Sequence, residues 1–121
     1  MKKKCAILHA DFCVPAEAVS LGKHLRIDRN VLLDVLSKTT VIPPAFVGKI
    51  RKIKDNDYST EFPLRLMSKD MNLVIEAAKT AGADVPAARV AQSVLAANLF
   101  SNGDQDLSAI TPFIVGRRVR T

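Results

Sequence analysis

The sequence has little of several residue types on which particular folds depend. Its 121 residues include no tryptophan, one tyrosine, two cysteines and five glycines. Two cysteines cannot hold together a disulfide-rich scaffold, and no apolar run approaches the roughly 20 residues that span a bilayer. The three N-terminal lysines are not followed by the uninterrupted apolar stretch of a secretory signal. We therefore expect a cytoplasmic protein without a membrane partner.

The two cysteines and the acidic pairs give no sign of a metal site. Cys5 and Cys13 are eight residues apart, which on a helix separates them by roughly 12 Å, too far for a disulfide. Neither has a metal-ligand spacing with a histidine. Asp104 and Asp106 lack the further oxygen ligands that a hard cation needs, so capping and loop roles are expected for them. We predict buried free thiols and no metal.

Apolar residues recur at steps of three and four over most of the chain, and no segment alternates as an exposed strand does. This pattern predicts a single all-α domain over residues 1–121, a bundle of five or six helices. The first helix ends near Leu25. The others are expected over residues 29–37, 45–53, 62–81, 86–100 and 107–114.

Local residue types mark several of these boundaries. Asp28 and Asp106 are suited to cap the helices that follow them, and Pro86 fits the first turn of another. Gly82 is placed to end the long helix in the left-handed conformation. The apolar stripe of that long helix is broad enough for burial on two sides.

The basic surplus is uneven. The chain carries 18 Lys and Arg against 12 Asp and Glu, and 10 of the 18 cations lie in three clusters, at residues 2–4, 49–54 and 117–120. Such clusters would suit phosphate contacts only if they converged in space. The simpler interpretation is that two of the clusters are solvated chain ends and that the third is the solvent-exposed face of a helix. Since no recognition turn, aromatic stacking platform or zinc-finger spacing is present, we expect no nucleic-acid partner.

A set of short motifs occurs in a fixed order along the chain. The string Phe62-Pro-Leu-Arg-Leu-Met-Ser-Lys69-Asp70 precedes Gly82, Val85-Pro86 and a Gly-Asp-Gln-Asp-Leu-Ser-Ala run that starts at Gly103. Together with the Glu17 and Asp28 regions upstream, it resembles the C-terminal helical domain of the β-hydroxyacid dehydrogenases, the family of 3-hydroxyisobutyrate dehydrogenase and tartronate semialdehyde reductase. The resemblance covers residues 14–115, which leaves 1–13 as an arm or helix remnant and 116–121 as a basic tail.

The resemblance implies roles for three residues. Lys69 would reach the nicotinamide cofactor, NAD or NADP, of the parent enzyme, while Phe62 and Asp70 would flank the substrate cleft. Read without the resemblance, Phe62 is a core anchor and Lys69-Asp70 an exposed helical pair. No catalytic residue carries over, because the family's lysine would fall at residues 1–4, where no asparagine follows four positions later.

Two positions depart from the family's pattern. Arg26 stands where the family usually has a glycine that closes the first helix. Glu61 stands where a proline often precedes the phenylalanine. Both departures concern local backbone geometry.

The sequence contains no G-x-G-x-x-G turn, and its five glycines cannot supply one. We therefore expect an isolated substrate and dimerisation domain of an NAD(P)-dependent oxidoreductase that lacks its Rossmann domain, is inactive alone and binds no cofactor tightly. A homodimer is expected, because the domain's partner surface would be apolar. The alternative is a free-standing helical dimerisation or adaptor module without nucleotide binding.

Overall fold

The computed structural model describes residues 12–40 and 42–117, and the regular secondary structure in these ranges is helical. The elements in chain order are α1 (Cys13–His24), α2 (Arg29–Ser37), α3 (Pro44–Val47), α4 (Ile50–Lys54), α5 (Leu64–Ala81), α6 (Pro86–Asn102), a 3₁₀ turn (Leu107–Ala109) and α7 (Ile110–Val115). The predicted all-α fold is confirmed. The residues form two compact units. We call Ser59–Leu107 the hairpin unit, and Phe12–Tyr58 with residues 108–117 the cluster unit.

The cluster unit is built on α1, which packs against α2 and α7, while α2 packs against α4. Its core includes Ala16 and Ile110, both with no exposed surface. The rings of Phe12 and Phe46 meet edge to face, with centroids 5.5 Å apart. The first helix ends where the sequence predicts, and residues 1–11, the greater part of the predicted N-terminal arm, lie outside the described residues.

A Schellman motif ends α1. The amide of Ile27 donates to the carbonyl oxygen of Gly22 at 2.9 Å, and the amide of Arg26 donates to that of Lys23 at 3.0 Å. Arg26 adopts a left-handed backbone with φ of 61°. This is the conformation for which glycine is favoured at the residue after a helix, so the position identified in the sequence as a departure is one that carries backbone strain.

The start of α2 follows the prediction, but its buried face does not. Asp28 caps the helix, since its carboxylate accepts from the amide of Val31 at 3.0 Å. Val31 and Val35 are four residues apart, a spacing typical of one buried helix face, yet they are 57% and 54% exposed. The residue that is fully buried is Leu33.

The helix predicted over residues 45–53 is two short helices. Pro43 and Pro44 begin α3, as Pro44 occupies its first turn. The chain then turns at Gly48 and Lys49 before α4 begins at Ile50. This break lets Phe46 and Ile53 both reach the core, where neither has exposed surface.

Cations of the α4 region have acidic neighbours within the cluster unit. Arg51 pairs with Asp55 at 3.9 Å, and Lys52 with Asp57 at 3.7 Å. Lys54 also forms an ion pair and hydrogen bond with Asp34 of α2. These pairs offset part of the positive charge of the basic residues at 49–54.

The hairpin unit consists of α5 and α6 packed against each other. The buried face of α5 is apolar apart from Ser68, whose hydroxyl accepts from the Gln92 side chain of α6 at 2.9 Å. Gly82 ends α5 with φ of 74°, and Pro86 lies in the first turn of α6, as the sequence predicts. The buried residues of the two helices are Leu64, Met67, Ser68, Met71, Val74, Ala88, Ala91, Leu95 and Asn98.

Cys13 is a buried free thiol, as predicted. Burial raises its pKa to about 11, with a further contribution from the charge of Glu17. Cys5 lies outside the described residues. Within the described ranges, no helix is both long and apolar enough to cross a membrane, and no three metal-ligating side chains come together.

Candidate functional site

The three residues that the sequence singles out belong to the hairpin unit. Phe62 lies two residues before α5 and is half-buried. Lys69 is exposed and Asp70 half-buried, both on α5. Being adjacent on a helix, Lys69 and Asp70 point about 100° apart. They lie roughly 8–9 Å along the axis from the start of α5, so the three residues form a strip and not one cluster.

The segment that leads into α5 is held by a buried carboxylate. Asp106 has no exposed surface. Its Oδ1 accepts hydrogen bonds from the amides of Glu61, at 3.1 Å, and Phe62, at 3.0 Å. Because two successive backbone amides donate to the same buried oxygen, Asp106 fixes the backbone at Phe62. A proline at position 61 would lack the amide that makes the first of these bonds.

Backbone pairing reinforces the same clamp. The Leu107 amide donates to the carbonyl oxygen of Phe62 at 2.8 Å, and the Leu64 amide donates to that of Gln105 at 2.9 Å. Between them, Pro63 and Asp106 form an isolated antiparallel bridge. The two chain segments at the open end of the hairpin unit are therefore tied by main-chain and carboxylate contacts.

The prediction that Asp106 caps the last helix is wrong. The residue at the N-cap of α7 is Ala109, which makes no side-chain cap hydrogen bond, and the 3₁₀ turn separates Asp106 from that helix. A single aspartate before a helix is the usual sign of a cap. Its amide partners, 44 and 45 residues earlier in the chain, leave no local signal. Asp104 instead pairs at the surface with Arg65 at 2.9 Å.

The outward face of α5 is partly apolar. Leu66 and Leu73 lie seven residues apart on this face and are 37% and 48% exposed. Lys69 and Asp70 lie between them in helical register. The prediction that α5 has apolar residues on two sides is consistent with these exposures. A lysine flanked by exposed leucines can contact an anionic group while the leucines pack on a neighbouring surface.

The described residues of this strip do not make a dinucleotide site by themselves. Lys69 can supply one cation to a phosphate or ribose edge. The glycine-rich turn after a strand that cradles a pyrophosphate has no counterpart in the described ranges, whose regular structure is helical.

Comparison with known proteins defines the class to which this fold belongs. Residues 5–114 match the family described as "NAD-binding of NADP-dependent 3-hydroxyisobutyrate dehydrogenase". The chain belongs to this family of β-hydroxyacid dehydrogenases, and the resemblance seen in its motifs is thereby confirmed.

Individual relatives agree with this assignment. The chain is 30% identical over 96 residues to the chloroplastic glyoxylate/succinic semialdehyde reductase 2 of Arabidopsis thaliana. The aligned region covers 78% of the chain and 27% of the reductase. It is 25% identical over 79 residues to the cytokine-like nuclear factor N-PAC of Drosophila melanogaster, covering 65% of the chain and 13% of that protein.

Solved structures show the same fold. The 3-hydroxyisobutyrate dehydrogenase of Salmonella typhimurium superposes with a TM-score of 0.84 at 24% identity, over 93% of this chain and 40% of that one. The Mycobacterium tuberculosis 3-hydroxyisobutyrate dehydrogenase, solved with L-serine, gives a TM-score of 0.71 at 25% identity, over 90% and 40%. The 121 residues thus span well under half the length of these relatives.

Proposed function

We propose that this chain is the C-terminal substrate and dimerisation domain of an NAD(P)-dependent, 3-hydroxyisobutyrate dehydrogenase-like oxidoreductase, and that it acts in the cytoplasm. The observation that carries the proposal is the family match over residues 5–114, in a chain whose described residues have helical regular structure and which covers 40% of a related dehydrogenase. Hydride transfer would require a dinucleotide-binding fold in addition to these helices. The chain alone is therefore expected to be inactive.

In this proposal the strip formed by Phe62, Lys69 and Asp70 faces the cofactor-binding domain. Lys69 would contact the cofactor, Phe62 and Asp70 would border the substrate cleft, and Leu66 and Leu73 would pack on the neighbouring domain. The clamp around Asp106 supports this role, because it fixes the backbone that carries Phe62 and starts α5. Positioning from a rigid element is what a substrate cleft needs.

The first test is a cofactor titration on the 121-residue chain. We expect no NAD- or NADP-dependent oxidation of 3-hydroxyisobutyrate by absorbance at 340 nm. Amide NMR should show binding no tighter than ~1 mM, since one exposed charge pair is worth little. Lys69→Ala should abolish the chemical-shift changes that the cofactor causes. Lys79→Ala, at another exposed lysine of α5, should leave them unchanged. Turnover by the chain alone, or shifts that survive Lys69→Ala, would contradict the proposal.

A homodimer is the second part of the proposal. Apolar side chains on the surface of the hairpin unit support it, notably Phe100, which is fully exposed, and Val90, at 65%. Sedimentation should give twice the monomer mass at micromolar concentration. Phe100→Ser should shift the particle towards the monomer, and Thr80→Ser, on the exposed surface of α5, should not. If the unsubstituted chain sediments as a monomer, the homodimer proposal is wrong.

A free-standing dimerisation or adaptor module is the alternative. The same exposed apolar residues favour it, because they would suit any protein partner. Its distinguishing expectation is dimerisation without nucleotide-induced shifts at Lys69. The titration and the sedimentation experiment together therefore separate the two functions.

A further inference from the structure

The outer side of α6, opposite its buried residues, carries almost no charge. Arg89 is the only charged residue among the 17 of this helix, whereas the 18 residues of α5 include five. Val90 is 65% exposed, and Phe100 is fully exposed. A helix that faces water on one side normally carries charged side chains there. The composition of α6 therefore indicates that its outer side is covered by another surface.

The exposed residues on this side are arranged symmetrically about the middle of α6. Ser93 and Ala97 lie two residues on either side of position 95, and both are exposed. Val90 and Phe100 lie five residues on either side of it, roughly 15 Å apart along the helix axis. We call the surface formed by these four residues the α6 face. Small residues at its centre let a second helix approach closely, while larger ones at its ends pack beside that helix.

The charges near the two ends of the α6 face are of opposite sign. Arg89, near the N-terminal end, pairs with Asp84 at 2.7 Å, and its side chain is 54% exposed. Asp104, just beyond the C-terminal end, pairs with Arg65 at 2.9 Å and is 94% exposed. If two copies of α6 pack antiparallel, Arg89 of each copy lies at the Asp104 end of the other. A parallel pair would bring like charges together at both ends.

An open depression of about 370 Å³ lies beside Phe100. Residues 99–105, at the end of α6 and just after it, form most of its wall, and Arg65 forms the rest. In the antiparallel arrangement this depression would receive Val90 and the aliphatic stem of Arg89 from the other copy. A projecting side chain next to a depression on the same surface is the self-complementary shape that a two-fold interface requires.

The exposed apolar residues of α1 are a second candidate for such an interface. Leu21 and Leu25 are 61% and 62% exposed. However, Glu17 and His24 line the same surface groove as Leu21, and both are exposed. Because the centres of protein interfaces are depleted in charged residues, the α6 face fits a protein partner better than α1 does.

We propose that the α6 face binds a second copy of this chain, with the two α6 helices antiparallel and the two-fold axis near position 95. Phe100 of each copy would pack against Val90 of the other, and Arg89 of each would lie beside Asp104 of the other. This inference rests on the homodimer of the proposed function and specifies its interface. It leaves the strip on α5 free for a cofactor-binding domain.

Disulfide trapping in the 121-residue chain tests the orientation. Ser93→Cys and Ala97→Cys are prepared separately in a Cys5→Ala background, in which Cys13 is buried. After mild oxidation, an equal mixture of the two variants should give at least threefold more covalent dimer than either variant alone. The reason is that each new thiol lies opposite the other position across the axis, within disulfide range. An equal yield from Ser93→Cys alone would indicate a parallel pair and overturn the proposal.

Charge exchange tests the contacts at the two ends. Arg89→Glu and Asp104→Lys should each raise the dimer dissociation constant about tenfold, because a two-fold dimer contains each contact twice. The double variant should return to within about threefold of the unsubstituted chain. Within one copy, both substitutions leave like charges beside Asp84 and Arg65, so this recovery can come only from contacts between copies. Lys79→Glu, on the surface of α5, is the control and should change the constant less than twofold.

Sedimentation of the same samples separates this interface from the homodimer itself. If the chain is a dimer that resists Arg89→Glu and forms no mixed disulfide, the α6 interface is wrong and the homodimer stands. Dissociation by Leu21→Ser but not by Phe100→Ser would likewise overturn the α6 interface and favour α1. A monomeric chain would overturn both. None of these readouts involves Lys69 or the cofactor, so the dehydrogenase role is tested separately.

Discussion

The amide of Ile27 donates to the carbonyl oxygen of Gly22, 2.9 Å away, across an arginine in the left-handed conformation. The bond closes the end of α1 and directs the chain towards Asp28, the cap of α2. The turn can form only if Arg26 accepts φ of 61°. An L-residue with a Cβ in this region carries about 1–2 kcal/mol of strain.

Arg26→Gly should therefore stabilise the chain. Relief of the strain exceeds the added flexibility of the unfolded chain, so we expect a gain of about 0.5–1 kcal/mol in the free energy of unfolding. Urea denaturation followed by circular dichroism measures it. Arg26→Ala is the matched control, since it removes the side chain but keeps the Cβ, and it should give no comparable gain. Equal gains in both variants would contradict the strain argument.

Substitution of Asp106 should show what the clamp contributes. Asp106→Ala leaves the amides of Glu61 and Phe62 without this buried acceptor, and we expect a loss of about 3 kcal/mol in the free energy of unfolding. Asp106→Asn keeps one oxygen and should lose about 1 kcal/mol. Asp104→Asn, at a carboxylate 94% exposed, should change stability by less than about 0.5 kcal/mol. Equal effects of the two asparagine variants would argue against the clamp.

The buried thiol predicts a dependence of stability on alkaline pH. Because the pKa of Cys13 rises from 9.0 to about 11 on folding, the unfolded state releases its proton first as pH increases. The thiol's contribution is complete below pH 9 and is lost between pH 9 and 11, by about 1 kcal/mol per pH unit.

Unfolding should be measured at pH 8, 9 and 10 in a Cys5→Ala background, so that Cys13 is the only thiol. Adding Cys13→Ala should remove this part of the alkaline slope, although it lowers stability at every pH by creating a small cavity. Identical slopes with and without Cys13 would show that the thiol ionises as freely in the folded state as in the unfolded one.

The ion pair between α2 and α4 can be tested on one carboxylate. A hydrogen bond from Lys54, the largest cause, lowers the pKa of Asp34, and the charges of Lys54 and Lys38 add to it. Lys54→Met should raise the Asp34 pKa in a carbonyl-carbon NMR titration, and Lys38→Met should raise it less. The stability due to the pair is present above the unfolded pKa and declines as pH falls through the folded value.

Sequence signals that act over one helical turn predicted the local structure well. Asp28, Gly82 and Pro86 occupy the positions that the sequence assigned to them, because caps depend on a few neighbouring residues. The left-handed residue at Arg26 also coincides with a position marked by its departure from the family's glycine. The order of the motifs was enough to identify the family.

Features set by distant contacts were not predictable in the same way. Burial of Leu33 in place of Val31 depends on how α2 meets its neighbours and not on its own periodicity. The amides that donate to Asp106 lie more than forty residues earlier in the chain. The roles of Phe62, Lys69 and Asp70 stay predictions until the titration is made.

The clamp at Asp106 also joins the beginning of the hairpin unit to its end. The described chain enters the hairpin unit near Phe62 and leaves it at Leu107, and these two residues are joined by a 2.8 Å hydrogen bond. Entry and exit at one point is the geometry of a segment that can be inserted into, or removed from, a host protein with little distortion of either. In the described chain, the hydrogen bond between Leu107 and Phe62 therefore brings the two ends of the hairpin side by side.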